Sequence, residues 1–65
     1  MERRADAIEI GDVIRDGAFV LKVLDVRHSI VPSDQIHFTT RVNGFVTDEP
    51  RDWSCDYRTR FEVIV

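Results

Sequence analysis

Residues 13–20, VIRDGAFV, constrain this chain more than any other stretch. Apolar residues flank an Asp-Gly pair, and a two-residue loop of that kind forces two extended segments to run back along each other, since only residues tolerant of positive φ close so tight a turn. The expected hairpin is type I′, with Ile14 opposite Phe19 and Val13 opposite Val20. Alternation with period two extends it both ways. Ile8, Ile10 and Ile14 share a face with Phe19, Leu21 and Val23, while Glu9, Arg15 and Lys22 fall on the other. Composition agrees: fifteen Val and Ile stand against three Ala and two Leu, and β-branched side chains suit a pleated surface better than a helix.

The alternation slips near residues 22–25, where Leu24 and Val26 become apolar beside charged Asp25 and Arg27. One extra residue does this, so a β-bulge is expected there, bending the strand. Pro32 and Asp34 predict a short loop at 32–34. The cleanest strand follows, with Ile36, Phe38, Thr40 and Val42 on one face and His37, Thr39 and Arg41 on the other. Asn43-Gly44 predicts a second hairpin, placing Val42 opposite Phe45 and Arg41 opposite Val46. Pro50 lacks a ladder donor, so residues 48–54 are expected as a loop or ragged edge. A last strand runs from Cys55 to Val65, with Cys55, Tyr57, Thr59, Phe61, Val63 and Val65 on its apolar face. Gly11 is expected to mark a bulge.

These segments predict an all-β fold: a small five-stranded antiparallel barrel or strongly bent sheet, SH3-like in shape. Residues 1–6 carry four charges without periodicity and are expected as a flexible leader, with a single β-domain over 7–65. At 65 residues such a domain buries only about 60% of the surface its unfolded chain exposes, so dense packing or a partner has to supply stability. Cys55 is the lone cysteine and excludes an intramolecular disulfide. The longest strictly apolar run spans four residues, 18–21, too short for a membrane span or secretory signal, and a cytoplasmic location is expected. Eight of nine basic residues are Arg, which hints at a high-GC genome.

Few residues point to chemistry. Cys55, His28 and His37 form no known catalytic context and lack metal-ligand spacing, and the three glycines are dispersed rather than gathered in a phosphate loop. No enzyme activity, cofactor or metal is expected. Two binding surfaces are. The first centres on Trp53 and Tyr57, residue types that dominate interface hot spots, with Ile64 exposed on a C-terminal strand that offers an edge to a partner or a second copy. Trp53 is expected to cap an open end of the barrel, the alternative being an outward anchor. The second groups His37, Arg41, Arg58 and Arg60 on an outward face as a nucleic-acid platform, provided the third and fifth strands come close; the net charge of −3 and the interleaved Asp56 and Glu62 weigh against it. The expected function is a non-enzymatic protein-binding or regulatory accessory factor. A small, complete reading frame of this kind fits a phage or mobile-element product. Nucleic-acid binding and a structural homo-oligomer or homodimer are the alternatives.

Overall fold

The computed structural model describes residues 1–29, 34–44, 47 and 49–64. Its elements are β1 (Glu2–Arg4), a 3-10 turn (Ala5–Ala7), β2 (Val13–Asp16), β3 (Phe19–Ser29), β4 (Gln35–Val42), β5 (Arg51–Asp56) and β6 (Arg60–Val63). All strands join one antiparallel sheet in the order β1-β6-β2-β3-β4-β5. The fold is all-β, as expected, but two points change. Among the described residues there are six strands rather than five, and the sheet is open, with β1 and β5 at its ends.

The sheet nonetheless curls. β4 and β6 are three strands apart in the order, which in a flat sheet would separate them by about 14 Å. Phe38 of β4 and Phe61 of β6 lie 6.0 Å apart between ring centroids. A concave face therefore closes over Ala5, Ile8, Ile14, Val23, Ile36, Phe38, Phe61 and Val63, all buried, with Leu21, Val26, Trp53, Cys55 and Tyr57 packed against them. Phe38 is fully buried, and removing a ring of that size from water stabilises the fold by about 1.5–3 kcal/mol.

The bend begins at the expected bulge. Val23 pairs with Thr40 and Asp25 with Thr39, so Leu24 is the extra residue. Beyond it Val26, rather than Asp25, shares the buried side with its partner Phe38. The β2–β3 hairpin also forms, but its loop is Gly17-Ala18, and Asp16 pairs with Phe19, Ile14 with Leu21. The expected partners are corrected by one residue on each strand, which leaves every side chain on its expected face. Gly17 has φ +60° and among the described residues no non-glycine residue has positive φ, the pattern of a type II′ turn, in which only the first central residue needs glycine. Gly11 marks the expected bulge and a turn together: its N–H donates to Val23 O and Val23 N–H donates to Asp12 O, both at 2.9 Å, so Gly11 and Asp12 face one residue, while Asp12 N–H donates to Glu9 O at 3.1 Å and Gly11, at φ +95°, fills the position that type II turns reserve for glycine.

Residues 1–6 are corrected from leader to fold. Glu2, Arg3 and Arg4 pair with Glu62, Phe61 and Arg60, Ala5 N–H donates to Thr59 O at 2.7 Å, and Ala5 is fully buried. Three residues at a sheet end hold through backbone bonds, which leave no side-chain periodicity to read. β5 starts at Arg51, four residues before the expected strand, and places Trp53 inside it. The apolar face expected from Cys55 onward is present through Val63, but a turn at 57–59 divides it between β5 and β6. The expected loop at 32–34 falls largely outside the described residues, as do Phe45, Val46 and Val65 and the hairpin pairs assigned to the first two. Among the described residues no helix is long and apolar enough to cross a membrane.

Candidate functional site

Trp53 occupies the position with the most distinctive surroundings. It alternates inward on β5 opposite Phe38, 5.0 Å from the Phe38 ring and 5.7 Å from that of Phe61, tilted against both. Such offset aromatic geometry adds about 0.5–1.5 kcal/mol per pair beyond area burial. Its indole Nε1–H donates to Thr40 Oγ1 at 2.8 Å, and Thr40 is itself only 2% exposed. One side of the indole thus packs against the concave core.

The other side borders a cleft of about 240 Å³, lined by Asp16, Phe19, Leu21, Thr40, Arg41, Val42, Arg51 and Trp53. The β2–β3 hairpin contributes one wall, β4 and the start of β5 the other. Leu21 and Val42 are cross-strand partners and form its apolar floor with Trp53. Phe19, 58% exposed, stands on the lip. Arg41, Arg51 and Asp16 supply its charges.

Tyr57 is elsewhere, in the turn between β5 and β6, with the Arg4 guanidinium 5.3 Å and that of Arg58 5.5 Å from its ring. Arg4 donates to Asp6 at 2.7 and 3.2 Å. Arg58 is bound to Asp56 through its backbone N–H at 2.8 Å and its guanidinium at 3.1 and 3.4 Å. These hydrogen bonds hold the carboxyls of Asp6 and Asp56 below the usual carboxylate range. Ile64 is 41% exposed and follows β6, which lies between β1 and β2. The last strand therefore offers no edge, correcting the expectation; β1 and β5 hold the ends. Trp53, Tyr57 and Ile64 do not gather into one surface.

Nor do His37, Arg41, Arg58 and Arg60. Because β4 and β6 meet through Phe38 and Phe61 across the concave interior, their outward side chains point away from each other. Arg60 pairs with Glu2 at 3.5 Å, Arg58 is engaged by Asp56, and His37 lies between Arg27 and Ser54. Next to His37, Arg27 bridges Asp25 at 3.5 Å and Asp52 at 3.7 Å, while Thr39 hydroxyl donates to Asp52. Around His37 the outward face of β3, β4 and β5 is thus charge-compensated. Arg41 alone of the four lines the cleft.

Cys55 alternates inward and His37, one register step away, outward, so the sheet separates them. Burial pushes the Cys55 thiol up, a hydrogen bond to Thr59 opposing in part, and a thiol raised this way is a poor nucleophile. Among the described residues no group of three or more His, Cys, Asp or Glu is placed to hold a metal ion. Arg51 was absent from the residues that the sequence singles out, though it shares the parity of Trp53 and so its face. No protein-family model, curated protein or solved structure matches the chain.

Proposed function

We propose that this chain is a small, non-enzymatic protein-binding module, SH3-like in the shape of its bent sheet, that takes its partner at the cleft beside Trp53. The observation that carries this reading is an apolar hollow with an indole in its wall and a half-exposed Phe19 on its lip. At about 240 Å³ it falls below the roughly 300–1,000 Å³ of small-molecule pockets and suits a side chain presented by another protein. Hot spots favour such partly enclosed aromatic pockets, where a side chain is fully desolvated on binding. An accessory or regulatory role fits a chain that offers such a contact surface. Affinity capture from the source cell with the wild-type chain and with Leu21→Arg, which fills the hollow with a charged side chain, tests it. A partner retained by the wild type and lost by a folded Leu21→Arg protein is expected; equal recovery by both overturns the reading.

Self-association is a second reading, favoured by the end strands β1 and β5, whose outer edges have no ladder partner among the described residues, and by exposed Ile10 and Ile64. Sedimentation that stays monomeric at all concentrations removes it. Nucleic-acid binding has less support, because Arg58 and Arg60 are engaged by carboxylates.

A further inference from the structure

Arginine pairing separates this cleft from the rest of the surface. Arg3, Arg4, Arg15, Arg27, Arg58 and Arg60 each have an Asp or Glu oxygen within 4.0 Å. Arg41 and Arg51, the two other arginines, have none among the described residues, and both line the cleft. Lys22 is the direct cross-strand partner of Arg41 and also has no carboxylate in reach among them. Like charges placed opposite each other in an antiparallel ladder destabilise it. Twelve acidic residues could in principle neutralise nine basic ones, yet the two arginines without a carboxylate in reach among the described residues both line one apolar hollow, with Asp16 as the acid lining it.

We propose that the cleft takes an acidic linear segment of another protein, seating one apolar side chain among Phe19, Leu21, Val42 and Trp53 while flanking carboxylates meet Arg41 and Arg51. The inference rests on the protein-binding reading and gives the partner its chemistry. Guanidinium and carboxylate pair through two parallel hydrogen bonds, which adds geometric selectivity to charge. Bringing a carboxylate to Arg41 also relieves its repulsion with Lys22. A nucleic acid would meet the same cations, but the indole N–H is committed to Thr40, and a chain of net charge −3 offers a polyanion no general attraction.

The test titrates the full-length, isotope-labelled chain with four probes: the peptide GEDFDEG, the same peptide with Gly in place of Phe, a basic counterpart GKKFKKG, and a twelve-nucleotide oligothymidylate. Amide and indole shifts report the site. The acidic Phe peptide is expected to move the Trp53 indole signal and the amides of residues 19–21, 41–42 and 51, with salt-sensitive affinity. The Gly and Lys peptides are expected to bind at least about tenfold more weakly, a difference of about 1.4 kcal/mol. Arg41→Glu and Arg51→Glu should each weaken the acidic peptide by a similar factor; should either fail to fold, Lys22→Glu and a salt series read the same charge dependence. No shift at about 1 mM acidic peptide, where binding free energy is only about −4.1 kcal/mol, overturns the proposal, as do equal affinity for the Lys peptide, shifts confined to another surface, or oligothymidylate binding through the cleft. If these failures coincide with a captured partner that Leu21→Arg still abolishes, the protein-binding reading stands and only the acidic chemistry falls.

Discussion

Trp53 and Tyr57 are four residues apart, both aromatic, both beside two arginines, and they have opposite electrostatic settings. Around Tyr57, Arg4 and Arg58 flank the ring and each is neutralised by its own aspartate. Around the Trp53 cleft, Arg41 and Arg51 have no carboxylate in reach among the described residues. The first arrangement ties residues 4–6 to the β5–β6 turn and spends its charges inside the molecule. The second keeps them for something outside it. An arginine beside an aromatic ring thus says little until its counter-charge is located.

The largest expected effect that tests this contrast is on folding. Trp53→Ala removes ring packing against Phe38 and Phe61 and should cost about 3–5 kcal/mol, read from urea denaturation; Tyr57→Ala should cost clearly less, and equal losses would break the distinction. Ala5→Leu, placed where no surface is exposed, should cost about 1–3 kcal/mol by overpacking, and a neutral result would show that the N-terminal segment contributes nothing to the fold. Thr40→Val keeps the shape but strands the indole N–H, for a loss of about 1–3 kcal/mol; an unchanged urea midpoint would count against that hydrogen bond.

Smaller effects sharpen the electrostatic half. Asp6 and Asp56 titrate lower folded than unfolded, so their contribution is fully present above the ordinary aspartate value of about 3.9 and is lost as pH falls through their depressed folded values. Asp6→Asn with Asp56→Asn should flatten the acid limb of a stability-versus-pH curve, whereas Arg41→Ala and Arg51→Ala should leave the curve within about 0.5 kcal/mol of wild type throughout. A fall in stability with either arginine variant would mean that those side chains are structural after all. Least of all, Cys55, held protonated by burial, should alkylate more slowly at mild alkaline pH than a cysteine in a short peptide; rapid modification would place the thiol at the surface.

Much of the architecture was legible locally. The faces of β4, the bulge at Leu24 and the hairpin near Gly17 follow from period-two patterning and turn chemistry, which depend on neighbours a few residues away. Its failures share a cause. β1 and the start of β5 are held by backbone ladders to β6 and β4, and Glu2, Arg51 and Asp52 carry no apolar signal of that pairing. The break at 57–59 is hidden because Cys55, Tyr57, Phe61 and Val63 keep their parity across it. The cleft was the least legible part, since its walls come from residues 16–21, 40–42 and 51–53, which meet only when β3, β4 and β5 pair.

Alternation, β-branching and glycine placement by themselves determined that this chain is a sheet with one apolar face and a bend, because side-chain direction along a strand is a local property. The tertiary structure decided which strands end the sheet and which arginines find a carboxylate. Both depend on distances between residues far apart in the chain, and no local pattern encodes those distances.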